Sequence, residues 1–140
     1  MRLTLNEMAS CLGLPQFSGP EEHTVLTSVA TDSRAVVPGS LFVCVSGSRV
    51  DGHDFAARAV EQGAGAMLAS RPLPHIAVPV FVVPDTVRAL GSLAALWRDR
   101  TKARVVGVTG SAGKTTVKET LARVLSLAGK TARNALNNNK

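Results

Sequence analysis

The chain has no apolar run approaching the roughly 18 to 20 residues that span a bilayer, so no helical membrane span is expected. Its start, MRLTLNEMASCLG, sets Asn6 and Glu7 among the apolar positions. It therefore lacks the uninterrupted apolar core of a secretory signal, and a cytoplasmic location is the expectation. Cysteine is scarce: Cys11 and Cys44 lie in apolar surroundings without a Cys-x-x-Cys spacing and read as reduced core residues. His23, His53 and His75 are scattered with no metal-ligand spacing, and His23 and His75 read as surface or loop positions. Trp97 is the only aromatic after Phe81, which argues against a groove that stacks single-stranded bases.

Lysine is absent from residues 1–87, where five Arg face eight Asp and Glu, a net −3. Residues 88–140 carry eleven Lys and Arg against two acids, a net +9. A basic second half suits a phosphorylated small molecule or a nucleic acid. It equally suits the solvated faces of two helices, or half of a charge balance completed elsewhere.

What is present is a globular composition, 45% hydrophobic and 19% charged over 140 residues, enough for one ordinary domain or two small ones. Thr4 and Glu7 have capping-box spacing, and Leu5, Met8, Ala9 and Leu12 then share a helical face that Gly13 can end. His23–Thr31 alternates and is rich in β-branched residues, as in a strand. Leu41–Ser46 is a short apolar run, the form of a strand buried on both faces. Asp54–Gln62 reads as a helix, and Ala66–Ser70 and Val78–Val83 as two more buried strands joined by an irregular segment holding Pro72, Pro74 and Pro79. Strand and helix alternate to Pro84, so residues 1–84 are expected to form a small α/β domain on a parallel sheet. From Asp85 a second unit is expected. It comprises a helix to about Arg100 with Val87, Leu90, Ala94 and Trp97 inward, a strand over Arg104–Thr109, and a helix over Gly113–Ala128 with Val117, Leu121, Val124, Leu125 and Ala128 inward. A further strand is expected over Lys130–Leu136. Two strands cannot complete a doubly wound sheet, so this domain is expected to be truncated or completed by a partner.

Between that strand and helix stands Thr109-Gly110-Ser111-Ala112-Gly113-Lys114-Thr115-Thr116. A phosphate loop delivers the chain from a strand to a tight turn, where glycines let successive N–H groups point inward toward the start of a helix. A lysine after the last glycine reaches the β- and γ-phosphates, and the next hydroxyl ligates Mg²⁺. Here Gly110 and Gly113 can make the turn, Lys114 is the phosphate lysine and Thr115 the metal ligand. Val108 stands where the strict motif has glycine, which marks a variant whose first glycine is Gly110.

This loop resembles the ATP loop of the Mur ligases, cytoplasmic amide-forming enzymes of peptidoglycan precursor synthesis. Three other stretches agree. Thr31-Asp32-Ser33-Arg34 with Pro38-Gly39-Ser40-Leu41-Phe42-Val43 is similar to an N-terminal segment of the family. Gly47 to Phe55, with its Asp51-Gly52-His53-Asp54, is similar to a second, and Asn137-Asn138-Asn139 to an asparagine run in the ATP domain. Ser111 to Thr115 with Val117-Lys118-Glu119 is most similar to the branch that adds D-alanyl-D-alanine, whereas Thr116 leans toward the tripeptide-forming branch.

The resemblance implies two domains: an N-terminal UDP-substrate-binding domain over 1–84 and the incomplete start of a doubly wound P-loop ATP-binding domain over 85–140. It implies ATP and Mg²⁺ as cofactors, with UDP-N-acetylmuramoyl-tripeptide and D-alanyl-D-alanine as substrates. The γ-phosphoryl group would pass to the peptide carboxylate, and the amine would attack the resulting acyl phosphate. Gly110, Ser111, Ala112, Gly113, Lys114, Thr115 and Thr116 would hold the ATP phosphates, with Lys114 and Thr115 also catalytic. Asp32, Ser33, Arg34 and His53 would line the UDP site, and Asn138 would lie near phosphate or substrate. The residues themselves leave a plainer possibility open: Asp32 caps a turn and pairs with Arg34 at the surface, and Asp51 to Asp54 form a loop that ends in a helix cap.

The family's acidic metal ligand, modified lysine, adenine site and C-terminal domain would all lie beyond Lys140. Turnover by these 140 residues alone is therefore not expected. The full-length protein is expected to be a monomer without nucleic-acid or membrane partners, while open sheet faces in the second half would invite self-association. The rival readings are the related amino-acid-adding branch and a non-catalytic module that binds a UDP-sugar or phosphate. A folate or polyglutamate ligase of the same superfamily is disfavoured, because such enzymes lack the N-terminal UDP unit.

Overall fold

The computed structural model describes residues 2–48, 50–101 and 104–134. They fall into two compact units, Met1–Lys102 and Ala103–Lys140.

The first unit opens with a two-residue strand, β1 (Leu3–Thr4), that runs into helix α1 (Leu5–Leu12). The expected capping box is formed: the Glu7 N–H donates to Thr4 Oγ1 at 3.2 Å, and the Thr4 N–H donates to Glu7 Oε2 at 2.8 Å. Gly13, at φ 66°, closes the helix. The segment expected to be one strand over His23–Thr31 is instead two, β2 (Val25–Leu26) and β3 (Ser28–Ala30). Strand β2 pairs antiparallel with β1, whereas β3 enters a four-stranded sheet. The reason lies in the side chains. In one continuous strand Leu26 and Ala30 would share a face, but Leu26 packs in the core on one side of the sheet and Ala30 in the core on the other. The chain breaks step at Thr27, whose N–H donates to Gly39 O at 3.0 Å.

The sheet is parallel throughout, in the order β3–β4–β5–β6, with β4 at Ser40–Val43, β5 at Ala64–Ala69 and β6 at Val80–Val82. Its strands are apolar on both faces because helices cover both. Leu41, Val43, Ala66 and Leu68 face a core shared with α1 and with α3 (Thr86–Thr101). Phe42, Cys44, Met67 and Ala69 face the opposite way, toward a core that includes Ala59 of α2 (Ala56–Glu61). The helix expected over Asp54–Gln62 begins as a 3₁₀ turn at Gly52–Phe55 before α2 proper. The result is a three-layer α/β unit, as the alternation of strand and helix predicts.

Helix α3 departs from expectation in two ways. Asp85 caps it, accepting from the Val87 and Arg88 N–H groups at 2.9 Å each. The buried stripe, however, is Thr86, Ala89 and Leu93, and Val87 is exposed. The helix is apolar around more than half its circumference, so its periodicity did not fix which stripe turns inward. Leu90 and Trp97, expected inward, are partly buried against the same core, and with the exposed Ala94 and with Val29 they line a shallow groove. The helix also packs in the first unit, where Arg100 pairs with Glu7 at 2.9 Å, so this compact unit runs past residue 84.

In the second unit Arg104–Thr109 forms no strand, and Val105 and Val106 are 72% and 61% exposed. Its apolar, β-branched residues suit a strand, but a strand exists only by pairing, and the described residues of this unit supply no partner. The same holds for Lys130–Leu136: residues 130–134 are irregular, and the rest lie outside the described residues. Helix α4 (Lys114–Ala128) forms as expected, but none of its residues is buried. Val117, Val124 and Leu125, expected inward, stand exposed for want of a sheet beneath them. Residues 130–134 meet the polar side of α4 instead, with Lys118 donating to Asn134 O at 3.0 Å and Arg133 pairing with Glu119 at 2.6 Å.

Candidate functional site

In an open parallel sheet the strands' carboxyl ends face a crevice where ligands bind. Here those ends carry the polar residues of the first unit. Asp32, Ser33 and Arg34 follow β3; Ser46, Asp51 and His53 follow β4; Ser70 and Arg71 follow β5.

At the end of β3 the plainer possibility is realised. Asp32 caps a 3₁₀ turn over Ser33–Ala35, accepting from the Arg34 N–H at 3.0 Å. Its carboxylate also takes a fork from Arg34, with Nη2 at 2.6 Å and Nε at 3.0 Å. The Arg34 guanidinium holds the Asp32 carboxyl down to about 2. Ser33 is buried, while the Arg34 side chain is 76% exposed.

At the end of β4, Asp51 caps the 3₁₀ turn that carries His53. Gly52 is required there, because a Cβ on it would lie 2.7 Å from Val45 N and 2.9 Å from Val45 O. The His53 side chain is 1% exposed and both ring nitrogens are occupied. The Ser70 N–H donates to Nε2 at 3.0 Å, so the ring proton sits on Nδ1 and points to Asp51 Oδ1 at 2.5 Å. Grouped beforehand with the UDP-contacting residues, His53 is in this structure a buried link between two strand ends, with no ring nitrogen open to a ligand. Asp51 also accepts from Ser46 Oγ at 3.1 Å and from Arg71 Nη1 at 2.8 Å. The His53 backbone N–H, then the His53 ring and Arg71, hold the Asp51 carboxyl well below the usual carboxylate range. Beneath this cluster, burial pushes the Cys44 thiol up to about 11, and the Asp51 charge adds to the shift.

Ser46, Ser70 and Arg71 were not singled out from the sequence. Asp51 stands in the sequence only within the family-like Gly47–Phe55 stretch and the capped loop, with no site role of its own. No local pattern joins residue 51 to residue 71; the signal available was that Ser70 and Arg71 end an apolar strand, where α/β sheets place their ligands.

In the second unit, Gly110 and Gly113 hold φ 150° and 75°, in the region that favours glycine. Gly113 stands at the N-cap of α4 and, having no side chain, makes no side-chain cap hydrogen bond. Lys114 folds back so that Nζ donates to Gly110 O at 2.5 Å. Ser111, Ala112, Thr115 and Thr116 are exposed around it. The structure thus brings the loop residues together as a turn at a helix start, without the expected strand before it. Asn138 lies outside the described residues. Among the described residues no group of three or more His, Cys, Asp or Glu could hold a metal ion, and no helix is long and apolar enough to cross a membrane.

Residues 25–98 match the family model described as "Mur ligase family, catalytic domain", more than half of the chain. The chain belongs to the Mur ligase family. It is 52% identical over 114 residues to UDP-N-acetylmuramoyl-tripeptide--D-alanyl-D-alanine ligase of Escherichia coli (strain K12), covering 81% of this chain and 25% of that protein. It is 50% identical over 107 residues to UDP-N-acetylmuramoyl-L-alanyl-D-glutamate--2,6-diaminopimelate ligase of Geobacillus thermodenitrificans (strain NG80-2), covering 75% and 22%. Among solved structures, MurF from Acinetobacter baumannii superposes with a TM-score of 0.75 at 31% identity, over 91% of this chain and 28% of that one. MurF ligase from Thermotoga maritima in complex with ADP gives 0.63 at 40% identity, over 71% and 23%. The chain therefore spans about a quarter of the length of the curated relatives it matches. The mixed α/β fold on a parallel sheet is the fold of the matching part of the MurF structures.

Proposed function

We propose that this Mur ligase chain serves an ATP-dependent amide ligase that joins D-alanyl-D-alanine to UDP-N-acetylmuramoyl-tripeptide. The first unit, including residues 1–84, would hold the UDP-linked substrate at the carboxyl edge of its sheet. The second would contribute the ATP loop of a P-loop domain expected over 85–140.

The observation that carries this reading is the turn at Gly110–Gly113 opening directly into α4 with Lys114 folded over it. Backbone N–H groups at a helix start suit a phosphate oxygen, and the macrodipole favours its charge. Lys114 would leave the Gly110 carbonyl for the β- and γ-phosphates and offset charge as the phosphoryl group moves. The exposed Thr115 hydroxyl fits Mg²⁺, which would polarise the phosphate oxygens when bound. Ser111, Ala112, Gly113 and Thr116 would hold phosphate through backbone and hydroxyl groups. At the sheet edge, Arg34 keeps an exposed guanidinium for a diphosphate, Asp32 orients it, and the buried Ser33 shapes the turn. Asn138 remains assigned to phosphate or substrate.

The near-equal identity to the diaminopimelate-adding ligase, together with Thr116, favours that branch as the second reading. Calorimetric titration of the chain with UDP-N-acetylmuramoyl-tripeptide, UDP-N-acetylmuramoyl-dipeptide, ATP–Mg²⁺ and duplex DNA tests the proposal. Binding of the UDP-linked peptides, with the tripeptide the tighter, is expected. Salt-dependent binding to DNA with no response to either UDP ligand would refute it.

A further inference from the structure

A chain of hydrogen bonds ties the carboxyl ends of β4 and β5: Ser70 to His53 Nε2, His53 Nδ1 to Asp51 Oδ1, and Asp51 Oδ2 to Arg71 Nη1. The Ser70 hydroxyl lies 3.1 Å from Nε2, so hydroxyl, imidazole and carboxylate stand in the order of a nucleophilic relay. The chemistry is that of a latch. The Nε2 lone pair is taken by the backbone N–H of Ser70, which cannot move away, so no base is open to the hydroxyl.

We infer that this latch presents Arg71 to an anionic group of the ligand at the sheet's carboxyl edge, with Arg71 a binding residue and His53 a positioning residue that acts through Asp51. The inference rests on the UDP-substrate reading above. Both arginines at this edge are partnered, but differently. Arg34 uses its Nε–Nη2 edge on Asp32, the edge that matches a phosphate bidentately. Arg71 gives Asp51 only Nη1. Its Nε–Nη2 edge makes no hydrogen bond among the described residues, and Nη2 stands 4.0 Å from Asp54, at ion-pair distance. The Arg71 side chain is 53% exposed, so that edge is reachable. Its direction is set from behind: Asp51 is held by three donors besides Arg71, two of them from His53. A long side chain pinned at one nitrogen loses less freedom when a ligand takes the other edge. The parallel order places β3 and β5 on either side of β4, about 10 Å apart, and Arg34 follows the first of these strands as Arg71 follows the second.

The test is titration of the whole chain with UDP-N-acetylmuramoyl-tripeptide, with thermal melts to establish that each variant is folded. Arg71→Met is expected to weaken binding roughly 10- to 100-fold, the loss of a charge-assisted contact. Arg71→Lys should recover only part of it, because an ammonium cannot fork. His53→Asn keeps a donor in the Nδ1 place and should bind more tightly than His53→Gln, which reaches the Nε2 place and releases Asp51. The double variant His53→Gln/Arg71→Met should bind no more weakly than Arg71→Met alone, since both changes remove one interaction. A wild-type-like affinity in Arg71→Met overturns the inference, and additive losses in the double variant overturn the role of His53. Should His53→Gln fail to fold, the two Arg71 variants and His53→Asn decide. A wild-type chain that ignores the UDP ligand would instead overturn the substrate reading and the inference with it.

Discussion

Replacing Gly52 by alanine should destabilise the first unit, while the same replacement at Gly91 should stabilise it. At position 52 the new methyl group would meet Val45 N at 2.7 Å, Val45 O at 2.9 Å and Cys44 C at 3.1 Å. All three are backbone atoms at the exit of the central strand β4, so no side chain can rotate away. Ordinary contact begins near 3.4 Å, and the turn must retreat by about 0.7 Å. That retreat stretches the bond from the Gly52 N–H to Val45 O, now 3.0 Å, and pulls on His53 next to it. Overpacking of this kind costs about 1–3 kcal/mol and a weakened backbone bond about 1 kcal/mol, together about 2–4 kcal/mol. For a unit of this size the melting temperature should fall by roughly 10–25 °C. At Gly91, inside α3, a Cβ meets nothing within 4 Å. There alanine removes only the glycine's excess freedom, a gain of about 0.5–1 kcal/mol, and the melt should rise by roughly 2–8 °C. Far-UV circular dichroism melts of the two variants beside the parent chain measure both. A Gly52→Ala chain that melts with the parent or above it would refute the close approach and the pinning of His53 built on it.

Two further outcomes follow from the titrating groups. Asp32 is held down to about 2 by Arg34, below its unfolded value near 4, so its contribution is complete above pH 4 and is lost as the pH falls toward 2. Asp32→Asn should therefore lower the urea midpoint slightly at neutral pH, with the difference from the parent chain closing between about pH 4 and 2; a difference that is the same at pH 2 as at pH 7 would argue against the pair. Cys44 is fully buried with its thiol pushed up to about 11. At pH 8 it should react with a disulfide reagent only as the chain unfolds, ahead of which the partly exposed Cys11 reacts; two equally fast thiols in the folded chain would contradict the core as described.

The parallel sheet was legible because burial on both faces leaves a plain mark: LFVC and AMLA carry no polar residue to spoil either side. The capping box at Thr4 and the turn at Gly110–Gly113 were legible because their determinants lie within four residues of each other. Three things were not. The face of α3 was ambiguous because two adjacent stripes are both apolar, and only the α1 layer decides which one is covered. The break at Thr27 was hidden because β-branched residues favour a strand without saying which sheet it joins. Arg104–Thr109 has the composition of a buried strand, yet composition records what a segment can pair with, and no pairing occurs among the described residues.

The candidate site divides along the same line. Asp32–Arg34 and Gly110–Thr116 are local devices, each readable as a motif, and each was read. Asp51–Arg71 is different in kind: its partners are 20 residues apart and meet only because β4 and β5 are neighbours in register. Strand order sets Ser40–Val43 beside Ala64–Ala69, and the loop after β4 then folds back, with Ser46 bridging Asp51 and the Gly52 N–H donating to Val45 O, so that the Asp51 carboxylate meets Arg71 just past β5. The buried histidine between them is bonded at both ring nitrogens, Nδ1 to Asp51 and Nε2 to the Ser70 N–H. The family resemblance grouped His53 with ligand-contacting residues, whereas the packed sheet occupies both of its ring nitrogens.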